Sequence, residues 1–206
     1  MTGTRIVLET VQPLLSGCGF KKRAGEIFTI ELGEDVLGWL GLNRATSHHP
    51  SGEVEINPVI GIRHQGVERL VSELRDEKFH QYQPPTISTP LGYLLPEARY
   101  RTWVFTSQGA DVVAAEMVGA ITSYGMPFMK AMANLNAICQ KLEAGLGFEH
   151  QLVYRRPIAR FLSGDEVQAR KVLEGSLATF DGRKDMAADE FKVFYARFMS
   201  RFSLAH

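Results

Sequence analysis

Three stretches between residues 20 and 63 alternate with a period of two, and the segments joining them are short. In 20–32, Phe28, Ile30 and Leu32 alternate with Ile27, Thr29 and Glu31, and 36–45 reads as a second strand. In 53–63, Val54, Ile56, Ile60 and Ile62 share one face, while Glu53, Glu55, Asn57 and Arg63 share the other. One face is therefore buried and one wet. A parallel crossover needs about a dozen residues or more, which these joints lack, so the expected arrangement is an antiparallel meander. A fourth strand is expected at 100–106, where Tyr100, Thr102 and Val104 alternate with Arg101, Trp103 and Phe105.

The flanking segments carry the helical period instead. In 4–16, Val7, Val11, Leu14 and Leu15 form a stripe, with Pro13 kinking the helix or opening its last turn. In 66–78 the stripe is Val67, Leu70, Val71 and Leu74. After Asp111 nearly everything reads as helix. Val113, Met117, Ala120 and Tyr124 lead to an expected break at Gly125-Met-Pro127, and Phe128, Met132, Leu135, Cys139 and Leu142 form the next stripe. Pro157 is expected in the first turn of a helix at 156–162, and Ser163-Gly-Asp165 closes it and caps the next. Phe191, Phe194, Tyr195, Phe198 and Phe202 mark the last helix. Strands first and helices afterwards give an α+β class: an antiparallel sheet of about four strands in the N-terminal half, packed by helices, then a helical C-terminal third. A single domain over 1–206 is expected, with an internal subdivision into an α+β core at 1–148 and a helical hairpin extension at 149–206.

A chain of 206 residues, 45% hydrophobic, can bury a substantial core. Lys plus Arg and Asp plus Glu each number 23, so no net charge draws nucleic acid or an anionic membrane, and neither is expected as a partner. Cys18 and Cys139 form no Cys-x-x-Cys pair, the first residues lack the basic-then-apolar pattern of a signal peptide, and Glu116 and Gly119 interrupt the most apolar run. The expectation is a cytoplasmic protein.

Candidate chemistry is sparse. His48 and His49 precede Glu53 and Glu55, which supplies zinc-type ligand atoms. The stretch 46–52 is nevertheless rich in turn formers, adjacent histidines diverge, and the glutamates lie on the polar face of a strand, so a hairpin loop is expected and no metal. Cys139 falls on an apolar stripe and Cys18 at a helix stop, neither with a base nearby in sequence. No phosphate-cradling glycine loop or dinucleotide fingerprint is present, so neither a cofactor nor a catalytic residue is assigned. Two other features remain. Arginines cluster as Arg155, Arg156 and Arg160 around Tyr154 and Pro157, with Arg99 and Arg101 elsewhere, and could hold an anion or simply line solvated rims. The stretch 81–96, with four prolines, carries Tyr82, Tyr93, Leu94 and Leu95 and leads to Tyr100. It offers either a partner surface or cover for a second sheet face that Leu37 and Trp39 make apolar.

The succession of a helix, Gly19-Phe-Lys-Lys22, an antiparallel sheet, Trp103, and a helix ending in Tyr124-Gly-Met-Pro-Phe128 resembles a group of uncharacterised bacterial small α+β proteins. Some of these are similar to immunity proteins that neutralise toxins. The likeness covers roughly residues 4–145, and 161–173 resembles a helical-repeat hairpin. The resemblance implies a binding role and transfers no catalytic residue. The expectation is therefore a non-enzymatic binding protein, immunity- or defence-related, that contacts a protein partner through Trp39, Tyr82, Tyr93 and Arg99. Arg155, Arg156 and Arg160 are added as a candidate anion patch. The alternatives are a small-molecule or nucleotide-processing enzyme whose site is assembled from distant residues, drawing on His48, His49, Glu53, Glu55 and the 155–160 arginines, or a phosphate or nucleic-acid binder using the arginine patches.

Overall fold

Strand β2 (Ile27–Gly33) turns back on β3 (Val36–Arg44), pairing Phe28 with Leu40 and Ile30 with Gly38, as the period-two pattern requires. β4 (Val54–His64) follows β3 in the sheet, so the meander forms. The computed structural model describes residues 3–45 and 53–202, and the class is α+β with a six-stranded antiparallel sheet in the N-terminal half.

The sheet is wider than the alternation alone indicated. Its order is β1 (Lys21–Lys22), β2, β3, β4, β5 (Ile87–Pro90), with β6 (Trp103–Phe105) also pairing β4. β1 is the two-residue strand Lys21–Lys22 at one edge, where Lys21 reaches Glu31 at 2.8 Å. β5 (Ile87–Pro90) lies inside the proline-rich stretch, at the other end of the path, where a terminal proline without an N–H is tolerated. The expected strand at 100–106 contracts to β6 (Trp103–Phe105), which places Trp103 opposite Ile56 and Phe105 opposite Val54.

Apart from His64 of β4 and Ile87 of β5, these strands belong to the first of two compact units, Met1–Arg63 with Ser88–Ala133. β3 is buried from Val36 to Leu42, which needs cover on both faces and matches its nearly unbroken apolar run. Gly38 is required on one face, because a Cβ there would sit 2.7 Å from Met129 Sδ and 2.6 Å from Ile30 Cγ2. α1 (Gly3–Gly17) buries Val7, Val11 and Leu15 and packs against α3 (Ala110–Ala120), leaving Leu14 outside. Pro13 lies inside α1.

The expected break at Gly125-Met-Pro127 does not occur. Helix continues from α3 through a π-turn at Ile121–Gly125 into α4 (Met126–Ala131), with the Met126 N–H bonded to the Ile121 carbonyl. The wider turn accommodates Pro127, which has no N–H to give. By length and composition the run Ala110–Ala131 could cross a membrane. Here its α3 part packs on α1 and β6 and exposes Glu116. The real break comes later, where Asn134 caps α5 (Leu135–Glu143) by accepting from the Ala137 N–H at 2.9 Å. The stripe expected from Phe128 to Leu142 is thus two helices.

The second unit is His64–Ile87 with Asn134–His206, so the segment 64–87 groups with the C-terminal helices. It contains α2 (Gln65–Arg75), α5, α6 (Glu149–Leu162), α7 (Glu166–Thr179) and α8 (Met186–Phe202). Pro157 lies inside α6, which begins well before the expected 156. Asp165 caps α7 as expected, accepting from the Gln168 N–H. Phe191, Phe194 and Phe198 of α8 are fully buried and form an aromatic core with Tyr154 and Phe180. α2 buries Val67, Glu68, Val71 and Leu74, a stripe turned by one position so that a carboxylate enters the core and Leu70 stays half-exposed.

Candidate functional site: the 91–101 loop

Beyond β5 the chain winds into a 3₁₀ turn, Leu91–Leu94, and returns toward β6. Leu91 and Leu95 are buried and anchor the turn, while Tyr93 between them points outward with half its surface exposed. The two limbs of the loop touch at Gly92, where a Cβ would overlap the Arg99 carbonyl oxygen and lie 2.7 Å from the Arg101 nitrogen. No side chain fits there. Ala98 takes a left-handed conformation at φ 46°, uncommon for a residue with a Cβ, and its N–H bonds the Leu95 carbonyl at 2.9 Å. The returning limb is pinned by Arg101, which pairs with Glu116 of α3 and lies 4.9 Å over the Trp103 ring. Thr102 adds a hydrogen bond to Glu55 of β4.

This bracing presents Tyr93, Arg99 and Tyr100 to solvent, Tyr100 being 53% exposed. A depression of about 400 Å³ lies beside Arg99 and Tyr100, lined by Gly92, Leu95, Glu97, Arg99, Tyr100 and Arg101. Among the described residues, neither Arg99 nor Glu97 has an ion-pair or hydrogen-bond partner for its side chain. The loop therefore offers two aromatic faces with phenol tips and one uncommitted charge of each sign. It holds no thiol, imidazole or serine that could serve as a nucleophile or base.

The other residues singled out from sequence are placed elsewhere. Trp39 is buried in β3, its ring lying across Gly41, so it presents no contact face. Tyr82 is half-exposed and belongs to the second unit, whereas Tyr93 belongs to the first. His48 and His49 lie outside the described residues. Among the described residues no three His, Cys, Asp or Glu side chains gather as metal ligands.

The arginine cluster is engaged internally. Arg155 is fully buried: its Nη2 donates to Glu68 Oε2 at 2.9 Å and its Nη1 to the Thr86 carbonyl at 3.2 Å. Its Nε lies 2.9 Å from Glu68 Oε1, with the N–H out of hydrogen-bond alignment. Thr86 Oγ1 donates to Glu68 Oε1 at 2.8 Å and accepts from the His64 N–H at 3.0 Å. Arg156 donates from Nε to the Leu142 carbonyl at 2.8 Å, and Arg160 pairs with Glu143. At Arg155 an anion would have to enter the core and displace Glu68. Cys139 is buried, and desolvation pushes its thiol above the ordinary range, opposite to the shift a nucleophilic thiolate needs.

Glu68 and Thr86 were not legible as site residues, because 18 and then 69 positions separate the members of the network. The only local sign is Glu68 flanking the apolar stripe of α2. No protein-family model matches the chain, no curated protein matches it, and no solved structure matches it.

Proposed function

We propose that the chain is a non-enzymatic cytoplasmic binding protein that acts by macromolecular contact, with the 91–101 loop of the first unit as its contact surface. The observation that carries this reading is the combination of Tyr93, Arg99 and Tyr100 exposed on a loop whose limbs meet at Gly92 and which Arg101 ties to Glu116. Tyrosine and arginine are the residue types that dominate binding energy at protein interfaces, and a pre-braced loop gives up little conformational entropy on binding. Arg99 and Glu97, uncommitted in the free chain, gain partners only when a second surface arrives. An immunity- or defence-related role belongs to the same proposal and rests on the resemblance of residues 4–145.

The test is photo-crosslinking in the native host. A benzophenone side chain is placed at Tyr93, with a control at Val167, an exposed residue of α7. A discrete adduct from position 93, absent from position 167, is the expected result. No adduct at 93, or the same adducts from both positions, would reject the loop as the contact surface.

A further inference from the structure

A second surface lies in the second unit and is independent of the 91–101 loop. α8 uses two faces. Ala188, Phe191, Phe194 and Phe198 go inward, while Met186, Glu190, Val193 and Arg197, spaced by four, three and four residues, follow a separate stripe. That stripe and the last turn of α2, with Leu74, Arg75, Asp76 and Glu77, enclose a groove of about 790 Å³. From Met186 to Arg197 the helix rises about 17 Å, enough for roughly three turns of a docked helix. Leu74 forms a buried apolar floor, and Met186 and Val193 stand on the wall exposed by 77% and 50%. Two exposed apolar anchors seven residues apart along a groove match the way an amphipathic helix is held, and a methionine adapts to such partners.

The charges select the occupant. Four carboxylates line the groove, Asp76, Glu77, Asp189 and Glu190, against two guanidinium groups. Arg75 is spent inside the unit: it reaches Glu77 at 2.8 Å and Glu190 at 3.4 Å and lies 4.3 Å over the Tyr154 ring. Arg197 donates to the Leu74 carbonyl at 3.1 Å and stands 3.7 Å from Asp76. Among the described residues, the Asp189 carboxylate has Lys192 alone as an ion-pair partner, 3.9 Å away. Asp76 and Asp189 thus keep most of their charge facing water. We infer that the α2/α8 groove binds a cationic amphipathic helix of a partner protein, with apolar side chains against Met186, Val193 and Leu74 and Lys or Arg side chains against Asp76 and Asp189.

Calorimetric titration of the full chain tests this with three synthetic peptides of about 15 residues. The first is an amphipathic Leu/Lys helix, the second the same sequence with Glu for Lys, and the third a Leu/Lys scramble of equal composition. The Leu/Lys helix should bind with an affinity that falls as salt rises. It should be weakened about tenfold or more by Asp76→Asn with Asp189→Asn, and likewise by Met186→Gln with Val193→Gln. The side chains replaced are exposed, and an unchanged thermal melt verifies that each variant folds. Absence of binding by the Leu/Lys helix, equal binding by the scramble or the Leu/Glu peptide, or undiminished binding by both double variants would overturn the assignment.

Discussion

Arg155 and Glu68 meet in the interior of the second unit, Nη2 to Oε2 at 2.9 Å, and Thr86 closes the network by donating to the same carboxylate and accepting from Arg155 at its carbonyl. Removing one partner strands the other charge away from water. Arg155→Met should therefore cost about 3–5 kcal/mol in urea unfolding, whereas Glu68→Leu combined with Arg155→Met should recover much of that loss. A single variant costing under about 1 kcal/mol would mean that the pair is not excluded from solvent as described.

The 91–101 loop depends on backbone meeting backbone at Gly92. Gly92→Ala places a Cβ against the Arg99 carbonyl and must push the limbs apart. The expected outcome is a loss of about 1–3 kcal/mol and faster proteolysis within 91–101, mapped by limited digestion. Digestion unchanged from wild type would show that the loop absorbs the methyl without moving.

At the start of α5, the Asn134 side chain accepts the Ala137 N–H. Asn134→Ala should destabilise by about 1 kcal/mol, and Asn134→Asp should leave stability nearly unchanged, since both Asn and Asp cap well. Equal losses in the two variants would locate the contribution of Asn134 elsewhere.

Burial raises the proton affinity of both the Cys139 thiol and the Tyr154 phenol in the second unit. A raised value means that the folded state keeps its proton where the unfolded chain has released it. The stabilisation is complete below the ordinary thiol and phenol ranges, about 8.5 and 10, and is lost as pH rises through the raised values. Thermal stability should accordingly fall on the alkaline side, and Cys139→Ala with Tyr154→Phe should flatten that fall. An identical alkaline slope in the double variant would contradict it.

The meander was legible because Phe28, Ile30, Ile56, Ile60 and Ile62 alternate and the joints are short, a local signal that tertiary packing did not override. Pro127 and Pro157 misled for a common reason: proline was read as a boundary, yet a π-turn accommodates the first and α6 runs through the second. β1 and β5 are too short to show any period. For the candidate site, sequence supplied Tyr93 and Arg99 but could not separate exposed aromatics from buried ones, so Trp39 was named beside them. It also could not reveal that Arg155, Arg156 and Arg160 are engaged within the chain, because two of their partners, Glu68 and Thr86, are brought near only by the fold.

The most direct test of the proposed function is affinity capture from the native host with mass spectrometry, comparing wild type with Tyr93→Ala combined with Arg99→Ala. Both side chains are exposed, so the variant should melt like wild type. The expected result is one abundant partner near unit stoichiometry with wild type, lost from the variant. Equal recovery by the variant, or no partner with either protein, would contradict a contact role for the 91–101 loop.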